Sequence, residues 1–381
     1  MYRALREGSS EDAALSKTRI DVARDVAARA VADGVHPAVV VLVARHGVIA
    51  LHQAFGDIGP DADDAPLPRD ALFPLASLQK PITATALMVL VEQGRVGLTR
   101  PVREYIPEFD GGGKDQVYVH HLLTHTSGLS MPPDTEEFRT EVGRRLALPP
   151  RNAALHPLVD AALQVAYERP LRAPTGQEMR YDMLNYELLG EIVRRVAGRP
   201  LQDFVREVVF DPLGMRDSHI SVPTEVRERC VRLAAWPDSM FDVASGSGLG
   251  TYATALDAAR FGQAFLDGGC GVDGRILGSV TVREMTKNQI PGIPGALLEE
   301  WHREASWGYG WGIACHEKWE YFPTHTPGTF LHGGASGVYL WCDPTHDLVG
   351  VWFAAGKAVY STDTLLENTD LFVNAVSAAI L

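Results

Sequence analysis

The stretch from Phe73 to Gly94, FPLASLQKPITATALMVLVEQG, decides how this chain is read. Between Pro81 and Val91 it carries no charge. An apolar run of that length is too short to span a bilayer and suits a helix inside a protein core. Its apolar residues go nearly all the way round the helical wheel, as in a helix covered on every side. Ser77 and Lys80 stand where this helix begins, and at i, i+3 spacing they share a face, so hydroxyl and amine can meet. A serine hydroxyl becomes a useful nucleophile once a neighbour takes its proton, and a lysine can do so if burial lowers its pKa. The first N–H groups of a helix also favour developing negative charge. Pro81 biases Lys80 away from α geometry, which predicts a distorted first turn. The plainer alternative is a capping serine followed by a surface lysine.

Upstream of this helix, Ile20, Val22, Ala23, Val26, Ala27, Ala30 and Val31 recur at helical spacing within residues 11–33 and stop at Gly34. Ala38 to Gly56 holds two β-branched runs around Arg45-His46-Gly47, the pattern of a β-hairpin. Residues 57–70 are acidic and Pro-rich, hence a loop. Downstream, HHLLTHTSGL (His120–Leu129) predicts a short helix stopped by Ser127-Gly128. His121 and His125 lie one turn apart, but no glutamate separates them and no third ligand is evident, so they read as structural histidines without a metal. Residues 131–174 mix prolines with a helical stretch, LHPLVDAALQVAYE, and suit a lid or substrate wall. Residues 185–215 predict two helices broken at Gly198-Arg199-Pro200, and a glycine-rich loop, SGSGLG, precedes another helix ending at Gly268-Gly269.

The last third changes character. WGYGWGIAC, TFLHGGASGVYLWCD and DLVGVWFAAG have the aromatic and β-branched enrichment of strands, with a turn at Asp343–Asp347 and a final amphipathic helix, LLENTDLFVNAVSAAIL. The two ends thus supply strands and one helix each, while the middle is helical. That pattern predicts an α+β fold: an antiparallel sheet flanked by N- and C-terminal helices, with a mostly helical second subdomain. The expected division is 1–76 plus 240–381 for the sheet part and 77–239 for the helical part, with the site opening at their junction.

Composition narrows the function classes. A chain of 381 residues with 46% hydrophobic and 22% charged residues can bury a large core. The formal net charge is −13 and no basic stripe stands out, which argues against a nucleic-acid partner. No segment is long and apolar enough for a membrane span, and the polar N-terminus lacks the apolar core of a secretory signal, so a cytoplasmic protein is expected. Cys230, Cys270, Cys315 and Cys342 are widely spaced, the pattern of small buried hydrophobes rather than disulfides or a zinc site.

Ser77-Leu78-Gln79-Lys80, followed by PITATALMVLVEQGRVGL, then HLLTHTSGL and later the LHGG stretch, resembles the class C β-lactamase-like serine hydrolases. These have a β-lactamase/transpeptidase-like fold and include class C β-lactamases, D-amino-acid peptidases, family VIII carboxylesterases and some acyltransferases. The resemblance runs from about residue 20 to the C-terminus. The family's Tyr-x-Asn element precedes a Tyr-x-Leu-Leu-Gly helix, here Tyr186–Gly190, which implies a catalytic Tyr181, with Tyr186 as the alternative. Met183 occupies the asparagine position, while Asn185 is near but out of register. A thioether offers neither the donor nor the acceptor with which that asparagine holds a lactam or peptide amide.

The family's Lys-Thr-Gly strand corresponds to His332-Gly333-Gly334 with Ala335 next. By resemblance, the N–H groups of Ser77 and Ala335 form the oxyanion hole, and His332, Gly333, Gly334 and Met183 line the substrate. Glycines let the edge strand approach the substrate closely. A histidine, mostly neutral above its usual pKa, attracts a substrate carboxylate less than a lysine does. The esterase branch commonly carries this histidine. Ser247 and Ser336 lack a full Gly-x-Ser-x-Gly elbow and read as turn residues; Trp307 and Trp311 fit strand packing.

The resemblance implies a serine hydrolase that cleaves a small-molecule ester through an acyl-enzyme on Ser77, activated by Lys80 and Tyr181, with no cofactor. The alternatives are a β-lactamase or D-amino-acid peptidase, an acyltransferase using the same residues, and an inactive ligand-binding homologue. Residue types leave acyl preference and oligomeric state open.

Overall fold

The computed structural model describes residues 3–58, 66–129, 135–233, 236–297, 300–315, 324–355 and 368–381. Its centre is the β-branched run that begins at Ala38. Seven strands form one sheet: β1 (Arg6–Glu7), β2 (Ala38–Arg45), β3 (Val48–Gly56), β4 (Gly312–Ile313), β5 (Phe330–Gly334), β6 (Val338–Asp343) and β7 (Leu348–Ala354). They lie in the order β1-β3-β2-β7-β6-β5-β4. Neighbours pair antiparallel except at one edge, where β1 runs parallel to β3, so the sheet is mixed where a purely antiparallel one was expected. The hairpin between β2 and β3 closes through His46 and Gly47, both at positive φ (54° and 76°), as a tight two-residue hairpin loop requires.

Strand character over TFLHGGASGVYLWCD resolves into two strands rather than one. The chain doubles back between Gly334 and Val338 through Gly337, at φ 99°, so β5 and β6 form their own hairpin. Of WGYGWGIAC, only Gly312–Ile313 joins the sheet as a strand.

Both faces of the sheet are covered, which explains why β2 is buried along its whole length. Val39, Val41 and Val43 join Trp341 and Trp352 beneath Ile20 and Val26 of the N-terminal helix (Lys17–Ala32) and Phe372 and Val376 of the C-terminal helix (Thr369–Ser377). Val40, Leu42 and Ala44 face the other way with Leu340 and Phe353, toward Phe261 and Phe265 of the helix Ala255–Leu266. The helices of the middle region include Thr135–Leu146, Pro157–Glu168 and Met183–Ala197. Part of the acidic loop read over 57–70, the start of the segment read as a lid, and the first residues of the final helix lie outside the described residues.

The apolar run of the opening stretch forms the central helix Gln79–Glu92, in which every residue from Gln79 to Leu90 is buried. It packs against the helix Met183–Ala197. Pro81 does not push Lys80 out of the helix. It falls in the first turn, where its missing N–H would have had no intrahelical partner, and the irregularity is a 3₁₀ turn at Ala76–Leu78 just upstream.

Two glycines differ sharply in what surrounds them. Gly350 in β7 is paired with Trp341 in β6, and a Cβ added there would stand 2.1 Å from the indole ring. Gly143 sits in the helix Thr135–Leu146 with nothing within 4 Å of such a Cβ. Gly350→Ala is therefore expected to cost about 1–3 kcal/mol through overpacking. Gly143→Ala should stabilise by up to about 1 kcal/mol through helix propensity. Urea unfolding of both variants checks the pair of signs.

Candidate active site

Ser77 is carried by the 3₁₀ turn immediately before the central helix. Ala76 beside it adopts φ 46°, a left-handed conformation that costs an alanine about 1–2 kcal/mol. The turn is pressed backbone to backbone against the SGSGLG loop: a Cβ at Gly248 would meet the Ala76 carbonyl oxygen at 1.8 Å.

Lys80 Nζ lies 2.8 Å from Ser77 Oγ and 3.0 Å from the carbonyl oxygen of Ser247. A carbonyl only accepts, so one N–H of the amine is committed to Ser247 and the rest of the nitrogen is turned toward Ser77. Lys80 is 1% exposed. Burial pulls its pKa from 10.5 to about 7, against the upward pull of Glu187 and Asp182. Above that pH the nitrogen offers a lone pair, as a proton acceptor must.

Tyr181 reaches the same place from far along the chain. It follows the short strand Met179–Arg180, which runs parallel to Gly295–Leu297, and its N–H donates to the Ala296 carbonyl at 3.2 Å. His125 clamps the backbone on both sides of it. The His125 carbonyl accepts the Arg180 N–H at 2.8 Å, and its Nδ1 accepts the Asp182 N–H at 3.2 Å. Asp182 then caps the helix Met183–Ala197, its Oδ1 accepting the Leu184 N–H at 2.7 Å.

The Tyr181 ring packs 4.5 Å from that of His125 and 5.7 Å from that of Trp307, with Lys80 Nζ 5.0 Å from its centroid. Burial raises the pKa of the phenol, and the nearby Ser77 hydroxyl opposes that shift. The structure therefore brings the Ser77 hydroxyl, the Lys80 amine and the Tyr181 phenol together. Tyr186, the alternative tyrosine, donates its hydroxyl to the Leu123 carbonyl at 3.0 Å and serves as an anchor between two helices.

Met183, half-buried, begins the helix after Tyr181. Asn185 does not stand in for the asparagine the family has at that position. It is fully buried, its Oδ1 accepts the Ser127 hydroxyl at 2.6 Å, and its amide faces His125 Nδ1 at 3.3 Å.

His332, in β5, is 4% exposed, and its Nδ1 bonds the Gly333 carbonyl at 2.7 Å. Burial, reinforced by nearby Lys80, lowers its pKa to about 3, so the ring is neutral at any ordinary pH. It packs 5.6 Å from Trp307 and 6.1 Å from Tyr181. Strand β4 pairs only with Phe330 and Leu331, so Gly333 and Gly334 lie beyond its reach.

The two glycines differ. A Cβ at Gly334 would meet the Leu75 carbonyl oxygen at 2.2 Å, so this glycine is required by the chain leading to Ser77. At Gly333 the nearest contact would be an ordinary 3.5 Å. Ala335 follows in the turn, and Ser336 fastens that turn by donating its hydroxyl to the Pro74 carbonyl at 2.5 Å.

Trp311 packs in the core with Phe261 and Phe265, whereas Trp307 is a wall of the site. His121 caps its own short helix, its Nδ1 accepting the Tyr118 N–H at 3.0 Å. Among the described residues no cluster of three or more His, Cys, Asp or Glu could hold a metal ion, and no helix is long and apolar enough to cross a membrane. Cys230 and Cys342 are buried, while Cys270 and Cys315 are only half-buried.

Sequence reasoning passes over Glu187, a buried carboxylate that accepts hydrogen bonds from the SGSGLG loop. The available signal was an acidic residue beside Leu188-Leu189 on a helix that the fold must bury.

The family model described as Beta-lactamase matches residues 23–366. Esterase EstB of Burkholderia gladioli is 37% identical over 214 residues, a match covering 55% of this chain and 52% of EstB. The match thus spans about half the length of that relative. Among solved structures, a penicillin-binding protein homologue from Caulobacter crescentus aligns with a TM-score of 0.75 at 23% identity, covering 95% of this chain and 98% of that one. A family VIII carboxylesterase aligns with a TM-score of 0.73 at 20% identity, covering 96% and 98%. At these identities the two structures show a shared fold.

A buried amine has a measurable consequence for stability. Between about 7 and 10.5 the unfolded chain holds a proton on Lys80 that the folded chain lacks, so its contribution to stability improves as pH rises through that window. Whatever Lys80→Met gains over the parent at pH 7 should shrink at pH 9.5. Urea unfolding of both proteins at the two pH values reads this; a difference that does not change with pH would contradict the assignment.

Proposed function

This chain belongs to the beta-lactamase family, a family of serine hydrolases with esterase members, and we propose that it cleaves carboxylic esters through an acyl-enzyme on Ser77. The observation that carries this reading is the Lys80 amine. It is buried, poised near neutrality, anchored by one N–H to the Ser247 carbonyl and 2.8 Å from the Ser77 hydroxyl.

In acylation, Ser77 Oγ attacks the ester carbonyl carbon while its proton passes to the Lys80–Tyr181 pair. The pair shares that proton as one titrating unit. The N–H groups of Ser77 and Ala335 hold the tetrahedral oxyanion, each such donor contributing roughly 3 kcal/mol of barrier lowering. As the C–O bond breaks, the pair returns the proton to the leaving alkoxide and an alcohol departs. Water then adds to the acyl carbon, gives a proton to the same pair and releases the acid with Ser77 restored. The subdomain division at residues 77 and 240 sets this chemistry at the seam between sheet and helical parts.

Esters are favoured over lactams and peptides on three counts. Met183 offers no hydrogen bond to an amide. Asn185 is committed internally and cannot replace it. His332 is neutral, so it provides no charge for a substrate carboxylate. The esterase named among the relatives supports the same choice.

Short-chain p-nitrophenyl esters are expected to turn over faster than the lactam ring of a chromogenic cephalosporin; the reverse order would make the protein a β-lactamase. Ser77→Ala should abolish both turnover and covalent labelling by a fluorophosphonate, read by intact mass. Lys80→Ala and Tyr181→Phe should each cost at least about 10²-fold in kcat/KM. An active Tyr181→Phe beside an inactive Tyr186→Phe would mean that the wrong tyrosine has been assigned. Because the amine must be neutral to accept a proton, kcat/KM should rise with pH through about 7.

A further inference from the structure

One turn of the central helix meets the SGSGLG loop along a continuous row of bonds. Gln79 Nε2 donates to the Ser245 carbonyl at 2.7 Å, Thr83 Oγ1 to the Gly246 carbonyl at 2.8 Å, and Lys80 Nζ to the Ser247 carbonyl at 3.0 Å. Three consecutive carbonyls therefore face three side chains around the first turn. The other side of the same tripeptide is held by a single carboxylate. Glu187 accepts the hydroxyl protons of both Ser245 and Ser247 on Oε1, and the Gly246 N–H on Oε2 at 3.2 Å. Glu187 is 2% exposed.

The loop has no room to shift toward the Glu187 helix, because a Cβ at Gly246 would meet the Tyr186 carbonyl oxygen at 2.2 Å. Nor can it move toward the serine turn, given the contact of Gly248 with Ala76. Glu187, bonded to both serine hydroxyls and to the Gly246 N–H, restrains the rotation of the loop's peptide planes.

We propose that Glu187 is a positioning residue for the Lys80 amine: by fixing the Ser245–Ser247 peptides it aims the Ser247 carbonyl, and hence the lone pair of Nζ, so that the lone pair faces Ser77. This inference rests on the reading of Ser77 as nucleophile and Lys80 as its base. The choice of carboxylate has a chemical reason. Burial raises the pKa of this carboxyl, and the three donors that converge on it, with the Lys80 amine, oppose that shift: an ionised carboxylate has acceptor sites for all three and no proton of its own. A glutamine has one acceptor oxygen, so it could not accept from the serine hydroxyls on one side and the Gly246 N–H on the other as the carboxylate does. A buried carboxylate without such partners would be strongly unfavourable.

Glu187 also acts on the amine through space. The groups facing Lys80 are Glu187 and Asp182, which raise its proton affinity, the rings of Tyr181 and Tyr186, and the imidazoles of His125 and His332, both kept neutral by burial. Removing the Glu187 charge should therefore let the amine deprotonate at lower pH.

The test is the rate of Ser77 labelling by a fluorophosphonate, followed by intact mass from about pH 5.5 to about pH 9, in the native protein and in Glu187→Gln. The variant should label about 10- to 100-fold more slowly at its plateau, and its rise with pH should move to lower pH. A merely structural role would reduce the folded fraction and leave both the rate per folded molecule and the pH of the rise unchanged; that result overturns the proposal. If Glu187→Gln does not fold, the double variant Ser245→Ala, Ser247→Ala keeps the charge and removes two of the three donors. It should label more slowly without the shift to lower pH, and labelling at the native rate would overturn the proposal. Native protein that is never labelled at Ser77 overturns the functional reading and this inference together, whereas native and variant proteins labelled alike refute only the role of Glu187.

Discussion

A lysine amine held out of water at the mouth of an apolar helix is the constraint around which this structure is arranged. Burying such a group disfavours its charged form, so the surroundings must keep water away and still satisfy its N–H groups. The central helix meets the first requirement by being covered on every side from Gln79 to Leu90. The Ser247 carbonyl meets the second by accepting one N–H, and the Ser77 hydroxyl lies within bonding distance of the same nitrogen. The helix Met183–Ala197 and the helical segment Leu201–Phe210 pack against that helix and help keep it dry.

Around this amine the chain is fastened by backbone approaches that tolerate no side chain. Gly248 lies against Ala76, Gly246 against Tyr186, and Gly334 against Leu75. Each of these contacts is with a carbonyl oxygen, so no neighbouring rotamer could relieve the clash of a larger residue. Two remote segments, the SGSGLG loop and the end of β5, are thereby brought against the turn that carries Ser77 or the helix beside it. The left-handed conformation of Ala76 is retained within this packing, as strained backbone persists where its surroundings over-determine it.

The walls of the site are aromatic and neutral. His125, Tyr181, Trp307 and His332 pack ring against ring, and both histidines are uncharged because burial, with help from the Lys80 amine, removes their protons. Neutral imidazoles beside a near-neutral amine keep like charges from competing in one small volume. The same arrangement leaves little attraction for an anionic ligand, in keeping with the ester reading proposed above.

Much of this was legible in the chain itself. A helix that is apolar all round, begun by Ser77 and Lys80, follows from local composition and spacing, as do the β2–β3 hairpin around His46-Gly47 and the mixing of strands at the ends with helices in the middle. Periodicity and turn chemistry are local properties, and they survive folding because the fold uses them directly. What a sequence cannot display is which distant groups will share a dry volume. The parallel strand Arg6–Glu7, the His125 clamp on Tyr181, the internal commitment of Asn185 and the Glu187 tether all depend on partners tens of residues away. Residue types fixed what each side chain could donate or accept; only the tertiary packing decided which of those capacities are met inside the protein, and burial, a property of the whole fold, then set the protonation of the lysine and the histidines.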